Sequence, residues 1–446
     1  MIMKKSFLFL LLSFAWVGCI RNARSEKGVL TAALLESFRA EEALQPKDSA
    51  FLHRDLYDVL LDSAAAATLD TSCTFRVPTR GITDQMRSGR CWLFSTLNLF
   101  RSNVIFDQGL DDFEFSETYG QFYDILEKSN RWMEDVIKYR RQPLSSRRNN
   151  YLFKKPIGDG GHFVNAALVL SKYGIVPQEV MAERFSSTDN ARMMRLVLSL
   201  LRKYGMELRR APANRIQAIK EAGLKEIYHL LTQTLGTPPQ AFSWRGQAYT
   251  PLSFRERFIP GDLQLDYVML MNDPTLPYYK MYKVEHSRNC YEGDNWTFLN
   301  LPVEELENLG IASLKDSVMF YFSCDTYHGD ESAAGKYSDN LRDFSGRLGV
   351  NISMTKEDMV ASGEIYSVHA MAMAGVKLDA EGRPVRWVAE NSYGAERGFG
   401  GFIVMDAPWF RTYLFRMVVE KRFLDGRLLE MTRAKPKKIP AWNLNY

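Results

Sequence analysis

Six histidines and five cysteines in 446 residues leave little material for a metal centre. No His-Glu-x-x-His occurs and the cysteines are not paired at zinc spacing, so no metal is expected, and no organic cofactor is implied. Charge of one sign is equally scarce. The formal net charge is +4, and no basic stripe interleaved with aromatics argues for nucleic acid. Arg140-Arg141 and Arg147-Arg148 form one local basic cluster, which reads as a solvated loop. Gly394, Gly398, Gly400 and Gly401 are not followed by the Lys-Ser/Thr pair of a phosphate loop. Internal repeats and low-complexity segments are absent too. At 46% hydrophobic and 25% charged residues, the chain has globular proportions and length enough for a large core.

What is present begins at the N-terminus. Met1 to Lys5 is a short basic region, Ser6 to Val17 is continuously apolar, and Gly18-Cys19 precedes a polar turn at Arg21. The run is too short for a comfortable membrane span and reads as an export signal over residues 1–18. Lipid attached to the Cys19 thiol would make a bacterial lipoprotein, periplasmic or membrane-anchored, touching the membrane only through that lipid. Trp16, three positions before the cysteine, is an imperfect lipobox residue. The remaining Cys73, Cys290 and Cys324 are expected as buried thiols, with one disulfide among them as the alternative.

Apolar periodicity places helices within Glu26 to Asp70, and over Cys91 to Val104, Phe122 to Arg140, Phe163 to Leu170, Arg192 to Lys203 and Ile216 to Gly236. Strands are expected at Val318 to Ser323, Trp387 to Glu390 and Phe402 to Met405. Helices come first and strands concentrate late. That order suits an α+β fold with a helical half, a sheet half and a cleft between them.

Four residue types in chain order then carry the chemistry. Gln85 precedes Cys91, which opens an apolar helix, and Ser367-Val368-His369-Ala370 and Glu390-Asn391-Ser392-Tyr393-Gly394 follow much later. A thiol attacks only as thiolate, and the first turn of a helix favours the anion. His369 is placed to take the thiol proton and return it to a leaving amine. Asn391 would fix the imidazole, and Gln85 with the backbone N–H of Cys91 would face a developing oxyanion. Each residue alone has an ordinary structural reading, as core or as turn. Together they point to a thiol hydrolase. A transglutaminase-like acyltransferase would normally carry Asp in the place of Asn391.

With these residues on view, the chain resembles the bleomycin hydrolase and aminopeptidase C branch of the papain superfamily, from about residue 50 to the C-terminus. The resemblance is carried by Ser88-Gly89-Arg90-Cys91-Trp92, Phe113-Glu114-Phe115-Ser116-Glu117, Leu126-Glu127-Lys128, Asn272-Asp273-Pro274 and Tyr278-Tyr279-Lys280-Met281-Tyr282. It implies an α+β papain-like cysteine proteinase fold over 19–446, with a helical half, a β-barrel-like half and helical insertions, an insertion over about 185–315 and a C-terminal arm over about 434–446. The insertion accounts for the separation of Cys91 and His369, which compact papain-type enzymes span in about 130–150 residues. The resemblance also implies peptide substrates and a glycine wall at Gly158-Asp159-Gly160-Gly161. Asp159, Gly160, Gly161, Trp92, Tyr393 and Tyr446 are expected at the substrate. A homo-hexamer with inward-facing sites is implied as well.

Three departures stand out. Tyr393 replaces the usual Trp after Asn-Ser, and His162-Phe163 replaces a Gln-Trp type pair. Only Asn443-Leu444-Asn445-Tyr446 follows Ile439-Pro440-Ala441-Trp442, the start of the arm whose carboxylate holds the substrate amine in this branch. The expectation is a cysteine aminopeptidase releasing single residues or short peptides. An endopeptidase with an open cleft, or a non-catalytic peptide-binding lipoprotein, stands as the alternative.

Overall fold

The computed structural model describes residues 28–43 and 48–442. The expected export signal over 1–18, Cys19 and Tyr446 lie outside the described residues. Two units are distinguished, one ending at Val59 and one running from Leu60. The first holds the Ala32–Glu42 helix, N-capped by the Thr31 hydroxyl and with no buried residue. The helical signal between Glu26 and Asp70 resolves into separate short pieces, Ala32–Glu42, Leu56–Leu60 and Ser63–Ala67. Asp62 caps the last of them by accepting from the N–H groups of Ala64 and Ala65, as a short acidic side chain does best before a first turn. No helix of the described residues is long and apolar enough to cross a membrane.

The second unit is built round the Cys91–Gln108 helix, buried on most of its circumference from Trp92 to Ile105. Gly109, at φ 59°, stops it by turning its N–H back to Ile105 and Phe106, a left-handed closure that a side chain resists. The Glu117–Tyr139, Phe163–Tyr173, Ala191–Arg210 and Ile216–Leu235 helices pack with it in one apolar core that includes Trp132, Phe122 and Phe163. Truncating a side chain such as Trp132 there would cost about 3–5 kcal/mol.

Among the described residues a 12-stranded sheet forms the other half. At its centre Leu414–Glu420, Phe320–Cys324, His369–Leu378, Pro384–Glu390 and Phe402–Asp406 lie side by side, each antiparallel to the next. One face meets the helical core. The other carries a second apolar core, closed by the Val303–Lys315 and Ala407–Tyr413 helices over Trp387, Phe410 and Met417. With both faces covered, His369–Leu378 is buried for eight of its ten residues, which is why its sequence runs apolar without alternating.

The segment 185–315 opens with the two long helices expected there, Ala191–Arg210 and Ile216–Leu235, and then adds strands that the sequence did not signal. Of these, Tyr267–Met271, Lys280–Val284 and Thr297–Asn300 join the main sheet. Short apolar runs such as Tyr267-Val-Met-Leu-Met are ambiguous between helix and strand until a neighbour offers hydrogen bonds. Lys437–Ile439 then pairs parallel to Lys280–Val284 at the sheet's end, and this pairing brings Ala441 to the rim of the cleft.

Candidate active site

A cleft of about 600 Å³ is lined by Gln85, Cys91, Gly160, Gly161, His369 and Tyr393, among others. Four separate stretches of chain supply these residues. Cys91 is the first residue of its helix, and the carbonyl of Arg90 accepts from Leu93 (2.8 Å) and Phe94 (3.1 Å). The N–H of Cys91 lies in the first turn and so has no partner within the helix. His369 opens its strand. Pairing of that strand with Pro384–Glu390 places the residue after Glu390 beside the imidazole. That residue is Asn391, and its Oδ1 lies 2.7 Å from His369 Nε2.

An amide oxygen only accepts, so Nε2 carries the proton and Nδ1 is the nitrogen left for the thiol. The N–H of Ser392 donates to the same Oδ1 at 2.8 Å, holding the amide plane. Tyr393 lies flat on the imidazole, with centroids 4.8 Å apart and planes at 17°; its hydroxyl is 3.4 Å from Nδ1. The smaller ring that replaces tryptophan covers the histidine face.

Cys91 and His369 line the same cleft, and the strand that His369 opens reaches the thiol through Ala370. A backbone hydrogen bond from Ala370, next to His369, and others at Trp92 and Cys91 hold the Cys91 thiol down. Desolvation outweighs them. Cys91 keeps some exposure at the cleft, yet the protein packed round it pushes the thiol up to about 11. Burial likewise pushes His369 down to about 4, against the opposing hydrogen bond to Asn391. Each group alone is therefore held neutral. A proton passed from Sγ to Nδ1 would leave opposite charges that stabilise each other, the thiolate gaining also from the positive end of the helix.

Gln85 is buried and fixed at four points, one of them its carbonyl, which accepts from Ser88 Oγ at 2.6 Å. Its N–H donates to the Ser392 carbonyl at 2.9 Å, its Oε1 accepts from Ser392 Oγ at 2.7 Å, and its Nε2 donates to the Ser88 carbonyl at 2.7 Å. One amide hydrogen remains, on a side chain that lines the cleft.

The expected substrate contacts divide. Gly160 faces open space, and a Cβ placed there would meet nothing within 4 Å, whereas a Cβ on Gly161 would meet the Trp92 ring at 2.8 Å. Trp92 corrects the expectation: it is buried, outside the cleft lining, and supports the glycine segment from beneath by donating Nε1–H to the Asp159 carbonyl at 2.9 Å. Asp159 corrects it as well. Its Oδ2 accepts from the N–H of Gly89 (2.8 Å) and from Asn190 Nδ2 (2.9 Å), tying two loops together, and the residue is not part of the cleft lining. His162 lines the cleft against Trp296 at 4.9 Å, and burial drives its imidazole well below the usual range, to the neutral form.

Sequence reasoning assigned Lys128 no role. Its Nζ donates to the carbonyls of Gly158 (3.1 Å) and Gly160 (2.7 Å) and pairs with Asp124 at 2.6 Å, so a buried lysine holds the glycine segment open. Only its helical spacing from Asp124 could have hinted at this. Cys73, Cys91, Cys290 and Cys324 are free thiols. Cys73 is half-buried where a buried thiol was expected. Among the described residues no His, Cys, Asp or Glu cluster could hold a metal ion.

A thiol at a helix start, an amide-held imidazole and a buried glutamine amide in a cleft between helices and a sheet define a papain-like thiol hydrolase. The chain belongs to the peptidase C1-like family, whose model matches residues 29–444, within the bleomycin hydrolase and aminopeptidase C branch. It is a cysteine peptidase. It is 33% identical over 379 residues to aminopeptidase C of Streptococcus thermophilus, covering 81% of this chain and 85% of that one. To aminopeptidase C of Lactococcus lactis subsp. cremoris it is 32% identical, covering 93% and 97%. A crystal structure of PepW from Lactobacillus rhamnosis superposes with a TM-score of 0.89 at 29% identity, covering 93% of this chain and 98% of that one.

Proposed function

We propose that the protein is a cysteine aminopeptidase using Cys91 as nucleophile, His369 as general base and acid, Asn391 as orienter and Gln85 as oxyanion donor. The observation that carries the reading is the 2.7 Å contact between His369 Nε2 and Asn391 Oδ1, because it commits Nδ1 to proton transfer with the thiol. The Cys91 thiolate attacks the carbonyl carbon of a peptide bond while the carbonyl oxygen takes up negative charge. Gln85 Nε2–H and the Cys91 N–H donate to that oxygen. Loss of one such donor typically costs about two to three orders of magnitude in rate. His369 gives its Nδ1 proton to the leaving amine, and a thioester remains on Cys91. Water, losing a proton to His369, then releases the acid and restores the thiol.

Two observations favour action at free N-termini. The relatives are named aminopeptidases, and the Lys437–Ile439 strand brings Ala441 to the cleft. The test is hydrolysis of one fluorogenic dipeptide with a free and an acetylated amine, with Cys91→Ser as control. Cleavage of the free form alone is expected. Equal cleavage of both overturns the aminopeptidase assignment, and undiminished cleavage by Cys91→Ser overturns the nucleophile.

A further inference from the structure

We infer that Glu183 and Arg90 are positioning residues for the oxyanion donor, acting on Gln85 through Ser88; this rests on the role proposed above for Gln85. Arg90 is wholly buried one residue before Cys91. Its two terminal nitrogens each meet one carboxylate oxygen of Glu183 at 2.8 Å. Its Nε donates to Ser88 Oγ at 2.9 Å. Ser88 Oγ donates in turn to the Gln85 carbonyl at 2.6 Å, while Gln85 Nε2 donates to the Ser88 carbonyl at 2.7 Å. The chain of contacts therefore runs unbroken from Glu183 to the amide that faces the cleft.

Glu183 is itself held. It accepts from Thr118 Oγ1 at 3.0 Å and Ser187 Oγ at 2.6 Å. The residues just after it grip the same loop twice more. The Thr188 carbonyl accepts from the Arg87 N–H at 2.8 Å, and Asn190 reaches Gly89 through the Asp159 carboxylate. A bidentate guanidinium–carboxylate pair fixes angle as well as distance, and a fixed donor needs no reorganisation as the oxyanion forms.

The local charge balance suits this role. Burial, with the nearby carboxylates adding to it, drives Glu114 up to about 7 and Glu117 well above the usual range. Glu183 is instead held below its ordinary value, against burial, by Arg90 with Ser187 and Thr118. At mildly acidic pH one charged carboxylate thus faces one guanidinium.

The test compares Glu183→Gln and Ser88→Ala with the wild type. Glu183→Gln replaces a carboxylate oxygen by an NH2 group that faces the guanidinium donor to donor. Ser88→Ala keeps the Arg90–Glu183 pair and the Gln85 Nε2 bond to the residue-88 carbonyl, and removes the hydroxyl that joins Arg90 Nε to the Gln85 carbonyl. Two reactions are read. Dipeptide hydrolysis develops an oxyanion. Alkylation by iodoacetamide forms a C–S bond as iodide leaves a tetrahedral carbon, and it needs no oxyanion hole. We expect kcat to fall about tenfold to a hundredfold in Glu183→Gln and less in Ser88→Ala, a fraction of what losing the donor itself costs. KM and the alkylation rate should stay close to the wild-type values. Parallel loss of hydrolysis and alkylation overturns the inference, as does an unchanged kcat in both variants. If Glu183→Gln does not fold, Ser88→Ala decides. If wild-type protein is alkylated but cleaves no peptide, the proposed function fails. The inference is then judged on a peptide aldehyde, whose hemithioacetal oxygen occupies the same hole: weaker binding by Ser88→Ala supports it and equal binding refutes it.

Discussion

Replacing Asn391 by Ala tests the catalytic geometry most directly. The substitution removes the Oδ1 that receives His369 Nε2–H at 2.7 Å. Nothing else within hydrogen-bond reach of Nε2 is found among the described residues, so a buried donor loses its acceptor. The bond is worth more to the imidazolium than to the neutral ring, because hydrogen bonds to charged groups contribute about 1.5–3 kcal/mol and neutral ones about 1 kcal/mol. The difference, about 1–2 kcal/mol, corresponds to roughly one pKa unit. The sign follows from the direction in which Asn391 acts, raising the His369 pKa against burial. Its loss disfavours the charged ring. The alkaline limb of kcat/KM against pH, which reports loss of the proton held by the Cys91–His369 pair, should therefore move down by about one unit. Because Tyr393 still stacks on the ring, rotation is only partly freed, and kcat at the optimum should fall about tenfold to a hundredfold. The assay is the pH–rate profile on a free-amine dipeptide. An alkaline limb that stays in place, together with unchanged kcat, would refute the assignment of Asn391 as orienter.

Other perturbations have equally definite outcomes. Gly161→Ala should raise KM severalfold and destabilise the fold by about 1–3 kcal/mol, since its Cβ would press on a Trp92 ring that its hydrogen bond to Asp159 keeps from yielding; unchanged KM and Tm would refute it. Lys128→Met releases two glycine-segment carbonyls and leaves Asp124 buried without its ion pair; lower Tm and higher KM are expected, read by thermal melts and steady-state kinetics. Glu114 stays protonated in the folded state to about pH 7, while the unfolded chain ionises it near pH 4.3. The folded state binds the extra proton, so stability falls as pH rises between those values. Thermal midpoints across pH 5–8 should therefore drop less steeply in Glu114→Gln than in the wild type, and identical slopes would refute this. His369 has the opposite sign. Its folded pKa of about 4 lies below the unfolded value near 6.5, so stability present above pH 6.5 is lost as pH falls toward 4, and His369→Phe should flatten that loss in acid melts.

Much of the site was legible because its residues are rare types in demanding local settings. A cysteine opening an apolar helix and an Asn before Ser and Tyr each break the local pattern. The structure brings Cys91, His369 and Gln85 to one cleft, with Asn391 behind the imidazole. The long helices at Glu117–Tyr139, Ala191–Arg210 and Ile216–Leu235 were legible because 3.6-residue periodicity is a local signal. Strands were less so. The His369–Leu378 strand is covered on both faces and lacks alternation, and Tyr267–Met271 becomes a strand because Leu414–Glu420 and Thr297–Asn300 lie alongside it.

Side-chain direction was the least legible property, and Asp159 shows why. In the sequence it sits inside a glycine run that reads as a substrate wall. In the fold, the N–H of Gly89 and the amide of Asn190, 70 and 31 positions away, compete for its carboxylate. Two well-placed donors from protein cost less entropy to meet than a diffusing ligand, so the carboxylate turns inward. Trp92 turns with it, because its indole N–H finds the Asp159 carbonyl. The same reasoning extends to Glu183, 93 positions from the guanidinium it binds. No periodicity or motif encodes such a partner. It is selected by the requirement that a buried arginine be paired, and the chain meets that requirement wherever the fold brings a carboxylate within reach. Here that place is the residue before Cys91.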